Sequence, residues 1–363
     1  MTVSPRSERC SPPERTYRVI QWMTGDVGRA ALRHFADNAT YELIGVLVHN
    51  EDKVGKDAGE IAGIPPIGLA ATDDVDAIVE LDADCVFYTP VIMDVDTVCR
   101  LLRAGKNVVT TSGFFHPSPD FRAPADEIRT ACVDGGTSFH GGGIHPGYAG
   151  DILPLTLARV MSRIDTIRVH EVVDVVNDAP ADHIDWMGFG KDKDAFLSEP
   201  TILGLGMPFF AQSMYMIADG LGVTIEKVTA ADPQVATAAA DIPHAGGTLP
   251  RGTVAAQRHE WTAWVDGRPL IVFQASYVTA GPDRLDPAWD LGETRYQIVI
   301  EGDPPTELTL KGVRQPDGTM VHPGYTWTAM GAVNAIPDVC DAEPGWLNHL
   351  DLGLIRPRGL VRR

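Results

Sequence analysis

An apolar run that leads into a glycine-containing turn, followed at once by a helix-forming segment, constrains this chain more than any other feature. The run covers residues 18–22, the turn holds Gly25 and Gly28, and a second apolar run follows at 43–48. This order is typical of a Rossmann domain, in which a helix N-terminus binds a dinucleotide pyrophosphate. Gly25 would let the backbone approach the phosphates, and Gly28 would let the helix pack closely on the strand. The usual first glycine of the motif is Met23, so the turn alone is a weak signal.

Short apolar runs separated by helix-forming segments continue to about residue 150. Their apolar residues are continuous rather than alternating, which is typical of parallel strands covered on both faces. We therefore predict an α/β fold with a Rossmann-type, doubly wound parallel sheet and a ligand crevice at the carboxyl ends of its strands. The predicted strands are 17–22, 41–49, 85–88, 107–111 and 137–140, with helices that begin near Gly28, Asp94 and Pro124.

Beyond residue 150 the pattern changes to a run of strands with one long helical segment, which predicts a second, α+β domain with an open mixed sheet. Such a sheet commonly forms substrate walls and a homodimer interface. A final helical segment at 326–341 is expected to pack back on the first domain. The predicted strands are 167–175, 261–265, 270–277, 296–300 and 307–310, and the helix is 203–221. The predicted division is 1–16 disordered tail, 17–150 Rossmann domain, 151–325 substrate and dimerisation domain, and 326–363 C-terminal segment.

Charge and hydrophobicity exclude several classes of function. The formal net charge of −19 argues against nucleic acid as a partner, because phosphate binding needs clustered lysine and arginine. No apolar segment approaches the roughly eighteen residues of a membrane span, and residues 1–16 lack the apolar core of a secretion signal. Five scattered cysteines indicate reduced thiols. We therefore expect a cytoplasmic protein with no membrane partner and no metal site.

The predicted crevice supplies a set of candidate cofactor residues. No acidic residue ends the second strand, where an acid would favour NAD by binding the ribose 2′-hydroxyl. Arg29, together with His49 or Lys53, could instead receive a 2′-phosphate, although Lys53 could equally be a salt-paired surface residue. We therefore expect NADP, with NAD possible. The candidates at the turn and the strand ends are Thr24, Gly25, Asp26, Val27, Gly28, Arg29, His49, Asn50, Lys53, Thr89, Pro90 and Ser112.

Three residues are candidates for proton transfer. Glu171 falls in phase with Ile167 and Val169 on a predicted strand, and burial favours the protonated form of a carboxyl group. Glu171 could therefore act as an acid, unless it is simply paired with an arginine. His145 and Tyr148 lie in the glycine-rich link between the domains, where cofactor and substrate should meet. Either could also have only a structural role.

Aromatic and histidine side chains near the crevice indicate an apolar substrate pocket, although plain core packing would explain several of them. The candidate pocket residues are Phe114, Phe115, His140, Trp186 and Phe210. Trp186 belongs to a polar and aromatic segment, with His183 and Asp185, that we predict to be a loop.

Motifs along most of the chain resemble those of the dihydrodipicolinate-reductase-like oxidoreductases. The closest branch is that of 2,4-diaminopentanoate dehydrogenase and the NAD(P)H-dependent amine dehydrogenases. The resemblance implies a nicotinamide cofactor on the first domain, to which Asn334 would contribute, and a small carbonyl or amine substrate in the cleft between the domains. It implies hydride transfer to an imine formed from a ketone and ammonia, or the reverse reaction. The motifs that carry it lie at 19–28, 54–59, 141–148, 332–339 and 344–345.

One departure from this family concerns the chemistry. The amine dehydrogenases carry a glutamate just after the fourth strand, where it activates ammonia and balances the iminium charge. This chain has Ser112, Gly113, Phe114 and Phe115 there, with no acid. Two alternatives therefore stay open: a carbonyl or imine reductase that does not use free ammonia, and a non-catalytic NADP-binding sensor.

Overall fold

The structure is a computed structural model that describes residues 15–178, 181–198, 201–244, 246–313, 316–317 and 323–361. The first fourteen residues of the predicted tail lie outside the described residues. Arg15, at the end of that tail, forms ion pairs with Asp84 and Asp341.

The first part of the chain alternates strands and helices, and every adjacent strand pair in it is parallel. All residues of the third strand are buried, as its continuous apolar run predicts, and the fifth strand is also buried throughout although it contains Ser138 and His140. The second strand ends two residues earlier than predicted, because Asn50 caps a short turn that starts at Glu51. In chain order the elements are β1 (Tyr17–Trp22), α1 (Asp26–Asp37), β2 (Tyr41–Leu47), α2 (Ala58–Ala62), α3 (Val75–Glu80), β3 (Cys85–Tyr88), α4 (Val95–Arg103), β4 (Asn107–Thr110), α5 (Arg122–Gly135) and β5 (Ser138–Gly141).

The second part of the chain builds a mixed sheet and a separate hairpin. In chain order its elements are α6 (Ile152–Ala158), β6 (Arg163–Asp174), α7 (Val175–Asp178), α8 (Ala181–Trp186), α9 (Lys193–Ser198), α10 (Thr201–Leu221), β7 (Lys227–Ala230), β8 (Gln234–Ala238), β9 (Ile242–His244), β10 (Gly247–Leu249), β11 (Val254–Val265), β12 (Arg268–Val278), β13 (Leu285–Asp286), β14 (Arg295–Asp303) and β15 (Thr306–Lys311). The mixed sheet has eight strands, in the order β13-β8-β11-β12-β6-β14-β15 with β7 beside β11. Its only parallel pair among the described strands is β12 with β6, and β9 and β10 form the hairpin.

The C-terminal segment returns to the parallel sheet. It forms α11 (Gly324–Val333), α12 (Ile336–Cys340), β16 (Gly345–Leu347) and α13 (His349–Leu352). β16 pairs in parallel with β5, which completes a six-stranded sheet in the order β16-β5-β4-β3-β1-β2. The predicted single helix at 326–341 is two helices, because Pro337 lies in the first turn of α12 and cannot donate the amide that would continue a longer helix.

Two main hydrophobic cores hold these sheets. Apolar residues of α1 and α11, including Phe35 and Val333, pack with β1 and β3 on one face of the parallel sheet. In the second part, Met214 of α10 packs with Trp261 and Phe273 of the mixed sheet. The predicted fold class, a doubly wound parallel sheet with a second α+β unit, is confirmed. Over the described residues, every helix is too short or too polar to cross a bilayer.

Candidate active site

The glycine turn between β1 and α1 leaves space for a phosphate group. Gly25 is the N-cap residue of α1, so no side chain at this position caps the helix. A Cβ added there would meet nothing within 4 Å. A Cβ at Gly28 would lie 2.3 Å from the carbonyl oxygen of Met23, so glycine is required for the close approach of helix and strand. The turn therefore fits the pyrophosphate of a dinucleotide, which a helix N-terminus attracts.

Met23 replaces the first glycine of the motif without blocking the turn. Its φ of 71° is a left-handed conformation that costs about 1–2 kcal/mol in a residue with a Cβ. Its carbonyl oxygen accepts a hydrogen bond from the Gln21 side chain at 2.7 Å, and its side chain packs against the core of the parallel sheet. The space beside Gly25 therefore stays open.

A lysine that follows β2 reaches the same turn. Lys53 Nζ donates to the carbonyl oxygen of Thr24 at 2.9 Å and to its hydroxyl at 3.1 Å. Burial, and then the charge of Arg29, lower the pKa of Lys53. Arg29 itself pairs with Asp26 in the first turn of α1. Two cations therefore lie near the turn, and one of them is already neutralised by a carboxylate.

The remaining predicted cofactor residues lie at several places around the sheet. His49 and Asn50 are exposed beyond the end of β2, while Val27 and Pro90 are half-buried. The hydroxyl groups of Thr89 and Ser112 make local hydrogen bonds after β3 and β4. Asn334 follows α11, and its buried Oδ1 has no hydrogen-bond partner among the described residues. An unpaired acceptor of this kind could receive an amide N–H from a ligand.

The structure brings two of the predicted catalytic residues together. Glu171 lies on β6, on the buried face that also carries Ile167 and Val169. His145 lies in the link that follows β5, and its Nδ1 is 2.7 Å from Glu171 Oε2. The two side chains are 2% and 9% exposed. Glu171 therefore pairs with a histidine, not with the arginine considered from the sequence.

Aromatic rings enclose this pair. The ring centroids of Phe210, Phe273 and Tyr296 lie 4.7, 5.2 and 6.1 Å from that of His145. His145 Nε2 is buried and has no hydrogen-bond partner in the described part of the chain. Gly150 lies against the ring, since a Cβ there would be 2.2 Å from the imidazole Cδ2. One nitrogen of His145 thus contacts a carboxylate and the other is unpaired, as a proton-transferring imidazole requires.

The predicted pocket residues do not form one wall. Phe114 packs edge to face against Phe121 and Trp346 within the core of the parallel sheet, so core packing explains it. Phe115 packs against Phe209 of α10, with centroids 5.0 Å apart. Phe210 alone of these residues has its ring against the imidazole of His145.

His140, Tyr148 and Trp186 are placed differently from Phe210. His140 is fully buried, with Nδ1 2.8 Å from the carbonyl oxygen of Leu347. Burial lowers its pKa to about 3, so it is neutral at physiological pH, and its remaining N–H is used in the hydrogen bond to Leu347. Tyr148 and Trp186 are 41% and 46% exposed. The predicted loop around Trp186 is the helix α8, and the side chain of His183 lies outside the described residues.

Sequence reasoning overlooked three buried polar residues beside the pair. Asp151, Gln212 and Ser213 are each 0% exposed. Gln212 and Ser213 could have been found from the sequence, because their polar side chains interrupt the apolar helical segment at 203–221. In the described part of the chain, no three His, Cys, Asp or Glu side chains cluster to hold a metal ion.

The fold and the site together define a class. A parallel sheet with an open glycine turn, followed by a link that places a buried imidazole against a carboxylate of a second sheet, is typical of a nicotinamide-dependent oxidoreductase.

Comparison with known proteins identifies the family. Residues 148–361 match the 2,4-diaminopentanoate dehydrogenase C-terminal domain. The chain is 31% identical over 353 residues to an amine dehydrogenase of Streptomyces virginiae, covering 92% of this chain and 96% of the relative. It is 25% identical over 241 residues to the 2,4-diaminopentanoate dehydrogenase of Acetoanaerobium sticklandii, and the match covers 65% of this chain and 63% of the relative.

A solved structure agrees with this assignment at the level of the fold. The amine dehydrogenase of Mycobacterium smegmatis superposes with a TM-score of 0.79 at 21% identity, covering 96% of this chain and 99% of that one. The chain belongs to the 2,4-diaminopentanoate dehydrogenase family, and it is an NAD(P)-dependent oxidoreductase of the amine dehydrogenase type. The resemblance drawn from the sequence motifs is confirmed.

Proposed function

We propose that this enzyme reductively aminates a small apolar ketone or aldehyde with ammonia and NADPH, or runs the reverse oxidative deamination. The observation that carries the proposal is the buried His145–Glu171 pair, with 2.7 Å between Nδ1 and Oε2. It supplies an acid–base group in a chain that has no acid at residues 112–115, where the resembled amine dehydrogenases carry a glutamate.

The reaction needs proton transfers that the pair can perform. Ammonia adds to the carbonyl carbon, the oxygen leaves as water, and a hydride reduces the resulting iminium to the amine. The reduced nicotinamide supplies that hydride when it is bound. The carboxylate of Glu171 stabilises the cationic iminium, and the imidazole of His145 delivers a proton to the departing oxygen. Because both side chains are largely removed from water, these charge interactions are strong.

The surroundings of the pair support an apolar substrate. Phe210, Phe273 and Tyr296 place aromatic rings around His145. Such walls favour alkyl or aryl groups beside the reacting carbon and disfavour a second charged group.

Lys53 supports NADPH as the cofactor, although NADH would fit the same turn. Its ammonium group lies on Thr24 at the glycine turn, while the nearby carboxylate of Asp26 is paired with Arg29. A 2′-phosphate would give it an anionic partner. No acidic residue ends β2 to bind the 2′-hydroxyl of NAD, because Glu51 and Asp52 lie in the turn that follows.

One observation favours a second function, a carbonyl or imine reductase that does not use free ammonia. Gly113 has a φ of 81°, and a Cβ there would lie 3.0 Å from Met93 Cβ. A side chain with a Cβ would be strained at this position, and residues 112–115 contain no acid, whereas the resembled amine dehydrogenases carry a glutamate in this loop to activate ammonia. If the reduced cofactor binds but is never oxidised, the result would instead support a non-catalytic NADP-binding sensor.

The experiment is a spectrophotometric assay of NADPH and NADH oxidation over a panel of small ketones and aldehydes, with and without ammonium. Cofactor consumption that requires ammonium supports reductive amination, whereas consumption without ammonium supports the carbonyl or imine reductase.

Glu171→Gln should lower kcat by about 10²–10⁴-fold, the usual contribution of acid–base catalysis.

A pair of glycine variants tests the position of His145 without changing its chemistry. Gly150→Ala would push a Cβ to 2.2 Å from the imidazole and displace it, so kcat should fall with it. Gly345→Ala is the matched control, because its Cβ would meet nothing within 4 Å. Equal activity in both variants would argue that the imidazole takes no part in the reaction.

We also propose that the enzyme is a cytoplasmic homodimer with two structural domains, 17–150 and 151–325. Free thiols at Cys85, Cys99, Cys132 and Cys340 support a reducing compartment. The face of the mixed sheet opposite α10 carries the partly exposed side chains of Arg258, Glu260 and Gln274 and is a surface on which a second copy could pack. Analytical ultracentrifugation measures the oligomeric state, and a monomer at micromolar concentration would refute the proposed homodimer.

A further inference from the structure

The long helix α10 buries two adjacent polar side chains completely. Gln212 and Ser213 are each 0% exposed, on a helix whose neighbouring residues Phe210, Met214 and Ile217 pack into the second core. Burying an amide or a hydroxyl costs free energy unless hydrogen bonds replace those made with water. The partners of these two side chains therefore show what they do.

Gln212 holds the loop that follows β4. Its Oε1 accepts hydrogen bonds from the amides of Phe115 at 2.8 Å and His116 at 3.3 Å. Its Nε2 donates to the carbonyl oxygen of Gly113 at 3.0 Å. The ring of Phe115 also packs on Phe209, one helical turn before Gln212. One side chain of α10 thus fixes three residues of this loop, Gly113, Phe115 and His116, at the edge of the parallel sheet.

Ser213 holds the link that follows β5, through a carboxylate. Its hydroxyl donates to Asp151 Oδ2 at 2.8 Å, and the same oxygen accepts the amide of Gly147 at 3.0 Å. Asp151 Oδ1 accepts the amide of Ile152 at 2.7 Å. Gly147 is only two residues from His145, so this chain of hydrogen bonds fixes the backbone that carries the imidazole.

The electrostatics of Asp151 agree with this arrangement. Burial raises the pKa of Asp151, and the hydrogen bond from Ser213, the two amides and the nearby His145 oppose that rise. Asp151 also lies within electrostatic range of His116 and His140, whose pKa values are lowered chiefly by burial. His145 is thus flanked by Glu171 through a direct contact and by Asp151 through the Gly147 turn.

β4 and β5 are neighbouring strands, so the two loops that α10 holds lie side by side at the carboxyl edge of the parallel sheet. We propose that Gln212 and Ser213 are positioning residues, which hold these loops at a fixed separation and so align the His145–Glu171 pair with a cofactor bound on that sheet. This inference rests on the proposed reduction at the same site.

Kinetics of Ser213→Ala and Gln212→Leu test the proposal. We expect kcat to fall about ten- to hundredfold, as small misplacements of reacting groups commonly cause, while the KM for NADPH changes less than about twofold. The kinetic isotope effect with deuterated NADPH should increase, because hydride transfer becomes slower than product release. Ser213→Thr, which keeps the hydroxyl, should recover most of kcat.

Thr137→Val is the matched control for a purely structural role. Thr137 is 3% exposed, and its hydroxyl donates to the carbonyl oxygen of Leu102 at 3.1 Å, at the opposite edge of the sheet. This variant should lose thermal stability with no change in kcat or isotope effect. If folded Ser213→Ala and Gln212→Leu behave like Thr137→Val, the positioning role is refuted.

Hydrogen–deuterium exchange separates this proposal from the proposed function. Ser213→Ala should accelerate exchange in residues 144–150, and Gln212→Leu should accelerate it in residues 113–118, whereas Thr137→Val should change neither. If the wild-type enzyme aminates no carbonyl, the proposed function fails, and exchange still decides the positioning role. Unchanged exchange at both loops would overturn it.

Discussion

Two buried histidines should make this protein sensitive to acid, and His349→Phe should remove a measurable part of that sensitivity. His140 lies in β5 and His349 begins α13, and their rings meet edge to face with centroids 4.8 Å apart. Burial lowers the pKa of His140 to about 3 and that of His349 to about 4. Both side chains are therefore neutral in the folded protein near pH 7.

The magnitude follows from the difference between folded and unfolded states. An unfolded histidine has a pKa of about 6.5, above both folded values. Below that pH the unfolded state binds more protons, so the free energy of unfolding falls as the pH falls. By about pH 5, each histidine should cost about 2 kcal/mol relative to pH 8. The two together would remove a large part of a typical stability of about 5–15 kcal/mol.

The assay is chemical denaturation of the wild type and of His349→Phe, near pH 8 and near pH 5, at one protein concentration. Titrating groups that do not interact with His349 cancel in this comparison, so the difference in unfolding free energy should shift by about 2 kcal/mol in favour of the variant at the lower pH. The charge of His349 also lowers the pKa of His140, and its removal adds to the shift in the same direction. His49→Gln, at an exposed histidine, should show no such shift. A pH-independent difference for His349→Phe would refute the reasoning, since the histidine would then be protonated equally in both states.

Three further predictions concern the turn and the cores. Gly28→Ala should weaken cofactor binding and lower the unfolding free energy by about 1–3 kcal/mol, because its Cβ would meet the Met23 carbonyl oxygen; calorimetry that finds both unchanged would contradict the close packing. Lys53→Ala should raise the KM for NADPH about tenfold, equivalent to about 1.4 kcal/mol, and leave the KM for NADH unchanged. An equal effect on both KM values would show that Lys53 does not bind the 2′-phosphate. Phe114→Ala should cost about 3–5 kcal/mol of stability, as thermal denaturation would show, and a mild loss would mean that the ring is not core.

The parallel sheet could be predicted because its strands are buried on both faces, and such strands read as continuous apolar runs. β3 is buried at every position and consists of Cys, Val, Phe and Tyr, so its pattern is clear. β5 is also buried throughout but contains Ser138 and His140, so its apolar signal is weaker. β16 could not be predicted in this way. It has three residues, and Trp346 is held in place by packing against Phe139 of β5, with centroids 5.5 Å apart. That contact is invisible without the tertiary fold.

The candidate site, like the fold, could be predicted only in part. The strand phase of Glu171 predicts its burial, because alternation along a strand is a local property. Its partner His145 is 26 residues away, and their contact depends on how β6 packs against the link. Composition alone could not separate Phe210, which contacts His145, from Phe114, which lies in the core. Both are aromatic residues in apolar surroundings.

The most direct test of the central claim is mass spectrometry of the product formed from a small apolar ketone, NADPH and ¹⁵N-labelled ammonium. We predict an amine that carries the label, formed by the wild type and by Gly345→Ala, and nearly abolished in Glu171→Gln. An unlabelled alcohol would contradict reductive amination and establish carbonyl reduction. Labelled amine formed equally by Glu171→Gln would contradict the role assigned to the His145–Glu171 pair.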